Sequence, residues 1–160
     1  MHQLAKSSLY KRPISVLVVV YTGGGEVLLL QRCTPRDFWQ SITGSLEANE
    51  TLMQAARREV FEETGITAEA DLQACGVERQ YEILPAWRHR YASSDTINTE
   101  HWFTLRVAQP FAVRLNPVEH IAYQWLPAAD AAHCVTSATN EQAILEYVRP
   151  CGDRRGKCIP

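Results

Sequence analysis

Residues 44–66 read GSLEANETLMQAARREVFEETGI. From about Glu50 to Glu63 the pattern is helical, and Gly65 supplies the C-terminal stop. At roughly 100° per residue, with Glu59 at zero, Glu63 lies at about 40° and Glu62 at about −60°. The three carboxylates therefore share one edge of the helix. Leu52, Ala56 and Val60 run along the adjoining edge and can face a sheet. The acidic edge then borders the buried face, where like charges three and four residues apart repel more than they do in open water. Something positive is required there. Arg58, four residues before Glu62, offsets part of the repulsion. A hard divalent cation would offset the rest, since carboxylate oxygens are the donors Mg²⁺ takes.

The rest of the chain sets this helix in a globular frame. The sequence has 160 residues, 16 Lys and Arg against 18 Asp and Glu, 46% hydrophobic content and 21% charge. Those values fit one folded domain over residues 1–150 and exclude a disordered or fibrous chain. The net charge of −2 argues against a nucleic-acid or membrane-surface binder, which needs a basic face. No apolar run approaches the roughly 20 residues of a membrane helix. MHQLAKSSLY at the start carries no apolar signal core, and five cysteines without a CxxC pair fit reduced thiols, so a cytoplasmic protein is expected. Residues 151–160, with Cys151 and Cys158, read as a flexible tail.

Ile14–Tyr21 is a continuous, β-branched apolar run, the mark of a buried strand. Thr22–Gly25 is a turn, and Glu26–Arg32 returns as the second arm of a hairpin. Phe38–Thr43 is short and aromatic. Asp71–Leu84 and Asn98–Val107 read as long strands joined by the polar stretch Trp87–Thr96. His120–Leu126 is another strand and Pro127–His133 a short helix. Asn140 is placed as the cap of a last helix ending near Val148. Strands, helix, strands, helix make an α+β domain with the acidic helix packed on the sheet. Asn98–Val107 looks exposed enough to pair between chains, leaving monomer and homodimer both open.

The fixed positions Gly44, Glu50, Arg58, Glu59, Val60, Glu62, Glu63, Gly65 and Ile66 match G-x5-E-x7-R-E-U-x-E-E-x-G-U, with U a bulky apolar residue, without a departure. REVFEE alone would be an ordinary solvated face, but the whole pattern resembles the signature of the Nudix hydrolases. The resemblance implies a Nudix fold, a mixed β-sheet sandwiched between helices, and hydrolysis of a diphosphate linkage with Mg²⁺ or Mn²⁺. It implies Glu59 and Glu63 as metal ligands, Glu62 as a ligand or water-holding partner, Arg58 as the orienter of the glutamates, and Glu50 as a partner at the helix start. Metal ions suit that chemistry because phosphorus attacked by water is shielded by negative oxygens.

Most members read P-G-G before the motif. Here Thr43 replaces the proline and Ser45 the second glycine. With Tyr10–Pro13, Leu30–Arg32, Trp87–Tyr91, Asn98–Glu100, Glu119–Leu126 and Asn140–Ile144, these departures are similar to one subgroup, the bacterial enzymes that hydrolyse dihydroneopterin triphosphate in folate synthesis. Several roles follow as implications. Lys11 and Arg32 hold the triphosphate, as an Arg fork suits phosphate oxygens. Thr43 offers a hydroxyl to the substrate. Glu119 is a further metal ligand or base. Tyr81, Glu82, Ile83 and Leu84 form the wall of a pterin slot, and Ser137 contacts substrate. Trp39, Trp87, Trp102, Trp125 and Tyr123 are stacking candidates that serve equally well as core. Arg88–Arg90 can steer an anion. No histidine sits at metal spacing with another, so none is assigned to metal. A dATP-type nucleoside triphosphate offers the same triphosphate and a fused ring, so it is the alternative substrate. A non-catalytic ligand-sensing module is the alternative from another class; such modules usually lose motif glutamates.

Overall fold

The computed structural model describes residues 9–68 and 70–149. The predicted tail and its two cysteines lie outside the described residues. Seven strands form one sheet: β1 (Ile14–Thr22), β2 (Glu26–Arg32), β3 (Trp39–Gln40), β4 (Ile42–Ser45), β5 (Leu72–Glu82), β6 (Ile97–Val107) and β7 (His120–Pro127). Helix α1 spans Leu52–Thr64, α2 Ala128–Cys134 and α3 Ala138–Tyr147, and a 3₁₀ turn covers Pro85–Arg90. The spatial order is β3-β2-β1-β6-β5, with β4 on β1 and β7 on β2. β1 and β6 run parallel and the other pairs antiparallel, so the sheet is mixed.

The uninterrupted apolar character of β1 has the expected cause: both of its faces are covered. Val16, Val18 and Val20 pack with Leu28, Leu30, Phe103 and Leu105 beneath Ala55, Ala56 and Val60 of α1. Leu17 and Val19 face the other way, onto Trp102 and the alanines of α2, with Ala143 and Ile144 of α3. The result is helix, sheet, helix. Local caps close both ends of α1. Thr51 caps the start, accepting from the Gln54 amide N–H while the Gln54 side chain accepts from the Thr51 N–H. Gly65 closes the helix with φ 80°, a conformation glycine adopts freely.

Two expectations are corrected. β6 is an interior strand, paired along its length with β1 on one side and β5 on the other, so it has no free edge for a second chain. It read as exposed because Asn98 and Glu100 are polar, yet both are buried. β5 is the edge strand, and it carries a register break between Ala74 and Glu78 with Gly76 at φ 69°. Asn140 is not a cap either. It lies inside α3, where its Oδ1 accepts from the Ser41 N–H at 2.8 Å and its Nδ2 donates to Ser41 Oγ at 2.8 Å, tying α3 to the strand pair β3–β4.

Candidate active site

The site grows from the contact between α1 and β4. At Gly44 the backbone passes so close to α1 that an added Cβ would fall inside the Glu59 carboxylate. The glycine is therefore a clearance for a carboxylate, not a turn. Arg58 fastens the cluster from the solvent side. Its Nε and Nη2 reach the two oxygens of Glu50 at 2.7 and 3.0 Å, its Nη1 reaches Glu59 Oε1 at 2.7 Å and Glu62 Oε2 at 3.3 Å, and Nη2 also donates to the Ser45 carbonyl at 2.9 Å. Such a forked pair is worth more than a single contact because both partners are charged and fixed in a plane. Hydrogen bonds from Arg58 hold Glu50 below the usual carboxylate range. Glu50 Oε2 also accepts from the Glu47 N–H, so it closes the loop before the helix as expected.

The acidic edge does border the core. Glu59 and Glu63 are buried, while Glu62 is half exposed on the outer flank. Burial pushes Glu59 up to about 7; Arg58 opposes this, and the charges of Glu62 and Glu119 add to it. Glu63, 2% exposed, is raised well above its ordinary value by burial and then by Glu59 and Glu119. The Thr43 main-chain N–H donates to it and lowers it in part. Its Oε2 has no partner.

Glu119 enters from the loop before β7, held where the Cys33 N–H donates to its carbonyl at 2.8 Å. One donor atom each of Glu63, Glu119 and His120 lie within 4.8 Å of one another. The sequence does not single out His120, because Glu63 and Gln40 are distant in the chain and no second histidine stands at metal spacing from it. It opens β7, is 1% exposed and has Nε2 3.2 Å from Gln40 Nε2. Burial, then Arg32, pushes it down to about 4, so it is neutral.

The cations line the same place from other strands. Lys11 sits just before β1, its N–H bound to the Arg90 carbonyl at 2.8 Å. Burial lowers its pKa, as do Arg90 and Arg32, while Glu59 and Glu119 raise it. Arg32, at the end of β2, is lowered by burial and by Arg90, against the pull of Glu63 and Glu119. Its guanidinium stacks 5.1 Å from the centre of the Trp87 ring, which meets Phe38 edge to face. Among the described residues neither Lys11 nor Arg32 is in an ion pair. Both feel the charge of the acidic cluster.

Other expected contacts are arranged differently. The Thr43 hydroxyl donates to the Val16 carbonyl at 2.9 Å, so its proton is not turned to a ligand. Of the four residues expected to wall the ring, Ile83 is buried, Tyr81 is partly buried, and Glu82 and Leu84 are exposed. The Tyr81 hydroxyl donates to Glu100 Oε2 at 3.3 Å and accepts from Asn98 Nδ2 at 3.0 Å. Ser137 occupies the N-cap of α3 without capping it, its Oγ 3.0 Å from Thr139 Oγ1. Trp102 is core. Trp125 is partly buried, its Nε1 bound to the Phe111 carbonyl at 3.1 Å. Among the described residues, a surface hollow of about 430 Å³ is lined by Arg57, Phe61, Thr67 and Ala68, and another of about 520 Å³ lies between Ile66, Ala70 and Asp71 and the end of β6; neither is lined by a residue of the acidic cluster.

The NUDIX domain family matches residues 11–147. The chain is 47% identical to the dihydroneopterin triphosphate diphosphatase of Escherichia coli K12 over 147 residues, 89% of this chain and 97% of that one. It is 38% identical to the dihydroneopterin triphosphate diphosphatase of Haemophilus influenzae over 143 residues, 87% of this chain and 89% of that one. Among solved structures, the E. coli dihydroneopterin triphosphate pyrophosphohydrolase superposes with a TM-score of 0.83 at 46% identity, over 88% of this chain and 97% of that chain.

Proposed function

The chain belongs to the NUDIX family, and on that premise we propose that it hydrolyses 7,8-dihydroneopterin triphosphate to dihydroneopterin monophosphate and pyrophosphate. The observation that carries this reading is the pairing of an intact acidic centre with two nearby cations, Lys11 and Arg32, that form no ion pair among the described residues, in a chain 47% identical to the E. coli diphosphatase across nearly all of both. The buried carboxylates fit a divalent ion. Glu63 Oε2 is buried without a partner, and burial first, then neighbouring carboxylates, raises both Glu59 and Glu63. Hard oxygen donors suit Mg²⁺, with Mn²⁺ as an alternative. Glu59, Glu63 and Glu119 would hold the ion, with Glu62 on the flank as a further ligand or water holder. When bound, it neutralises phosphate charge and makes water a stronger nucleophile.

The protein's own part is placement. Arg58 fixes Glu50, Glu59 and Glu62 in one geometry, and Gly44 leaves space for it. Lys11 and Arg32 hold the substrate's phosphate oxygens, and the local charge of Arg88 and Arg90 draws the polyanion in. A site carboxylate takes the proton of the attacking water, the phosphoric anhydride bond breaks, and pyrophosphate leaves. Ser137 and Tyr81–Leu84 lie on the elements that would bound the ring, Tyr81 through its hydroxyl network. Free Cys33, Cys75 and Cys134 suit a reducing cytoplasm, and among the described residues no helix is long and apolar enough to cross a membrane.

Steady-state release of pyrophosphate tests the reading, with dihydroneopterin triphosphate measured beside dATP and the other nucleoside triphosphates in Mg²⁺. We expect kcat/KM to favour the pterin at least tenfold. Equal or better turnover of dATP would assign the same chemistry to nucleotides. No pyrophosphate from any of them would leave a ligand-sensing module.

A further inference from the structure

We propose that His120 is a nitrogen ligand of the cation centre, binding through Nδ1 beside Glu63 and Glu119. The inference rests on the cation-dependent reading of those carboxylates, and goes beyond it by making the centre a mixed oxygen and nitrogen one. Such a donor set raises affinity for Co²⁺ and Mn²⁺ relative to Mg²⁺, because imidazole suits transition ions and Mg²⁺ takes oxygen.

Three observations converge. The first is spacing. One ligand atom from each of Glu63, Glu119 and His120 lies within 4.8 Å of the others. Donors about 2.1 Å from one ion are at most about 4.2 Å apart, so little movement brings these three onto one centre. The second is the pattern of unmet bonds. Glu63 Oε2 and His120 Nδ1 are both buried and both without a partner. They come from different elements, α1 and β7, and they do not bond each other. A buried polar atom left open is costly, and two of them on residues whose ligand atoms cluster call for a common partner.

The third is the other side of the ring. Nε2 lies 3.2 Å from the Gln40 side-chain amide, which is itself buried. That leaves Nδ1 as the free nitrogen. The amide nitrogen and oxygen of Gln40 are nearly equal in shape, so a half-turn presents its carbonyl to an Nε2 hydrogen. Nδ1 then carries a lone pair, and Gln40 plays the part of the carbonyl that orients a metal-bound imidazole. The sheet builds this arrangement: β2 pairs with β3 through Leu30 and Gln40, and with β7 through Arg32 and His120.

Pulsed electron paramagnetic resonance on the full chain loaded with Mn²⁺ tests the proposal. The expected result is nitrogen modulation on the bound ion. In His120→Gln, Mn²⁺ should still bind through the carboxylates, the modulation should vanish, and Co²⁺ affinity should fall roughly tenfold or more while Mg²⁺ affinity changes much less. Bound Mn²⁺ without nitrogen modulation in the unsubstituted protein would overturn the proposal and leave the cation reading standing. Modulation that survives His120→Gln would also overturn it. Failure to bind Mn²⁺ at all would sink both. The measurement on the unsubstituted protein needs no variant to fold.

Discussion

Two buried carboxylates on opposite sides of the sheet show what distinguishes a working site from a structural one. Glu100 on β6 is 4% exposed, and Glu63 on α1 is 2% exposed. Burial raises both above the ordinary range. Glu100 is answered by three donors: Trp102 Nε1 at 3.0 Å, the Tyr81 hydroxyl at 3.3 Å and the Thr139 hydroxyl. Glu63 receives the Thr43 N–H and little else, faces the charges of Glu59 and Glu119, and keeps one oxygen open. The first is a carboxylate whose surroundings already complete it. The second is a carboxylate left incomplete inside an otherwise well-packed fold, and an incomplete buried anion is what a cation site looks like before the cation.

The widest gap between the two should appear in activity. Glu63→Gln is expected to lower kcat/KM by roughly 10² or more, the scale for removing a charge-stabilising group, while the metal-free protein melts at the same or a higher temperature because a like charge has gone. Glu59→Gln should behave alike. Retention of full hydrolysis by either would remove the metal-site account.

A second effect separates the regions by pH. Glu59 is raised from 4.5 to about 7, so the folded chain holds a proton that the unfolded chain has lost between those values. Metal-free stability is then greatest at the acid end of that window and declines as pH rises from about 4.5 to about 7, by on the order of 3 kcal/mol at most. A divalent ion binds the deprotonated form, so the increase in melting temperature on adding Mg²⁺ should grow across the same range. Thermal melts at pH 5.5 and 7.5, with and without Mg²⁺, check this. A metal shift that ignores pH, or a decline equally present in Glu59→Gln, would break the argument.

The same contrast explains what the sequence could disclose. α1 is legible because its information is local. Gly44 to Ile66 carries the stop, the acidic edge and the clamp within one helix and its approaches, and a periodic pattern fixes which face each residue takes. β1 is legible because an uninterrupted apolar run has only one place to go. His120 is not, because its meaning depends on Glu63 and Gln40, which only the folded sheet brings to it. Asn98 and Glu100 mislead for a related reason. Polar residues in a strand ordinarily mark a solvated face, whereas here Ser15, Tyr81 and Trp102 meet them inside. The hydroxyls of Thr43 and Tyr81 likewise meet partners within the protein, Val16 and Glu100, that no local pattern announces.

Glu100→Gln isolates the structural carboxylate. It turns one acceptor into a donor facing Trp102 Nε1 or the Tyr81 hydroxyl, so stability should fall by about 1–3 kcal/mol, the range for a buried polar group left without its partner. Urea denaturation reads this directly. Hydrolysis per folded molecule should change only a few-fold. A loss matching that of Glu63→Gln, with stability intact, would mean that Glu100 belongs to the site and that the contrast between the two faces is false.

The smallest effect concerns how the cations are held. Arg58 is fixed by a fork of short bonds to Glu50, and losing either partner should disorder the whole acidic edge. Arg32 has no ion pair among the described residues; its guanidinium rests 5.1 Å from the Trp87 ring and its Nε donates to the Thr34 carbonyl at 3.2 Å. A cation over an aromatic face at a partly exposed site is worth about 0.5–1 kcal/mol, and that is what Trp87→Leu should remove. If Arg32 grips substrate phosphate alike in the ground and transition states, the loss appears in KM alone, as a rise of roughly two- to fivefold with kcat unchanged. Trp87→Phe keeps a ring and should recover part of it. A fall in kcat with KM unmoved would place the Trp87–Arg32 pair on the reacting phosphorus, and so on the catalytic side of the comparison.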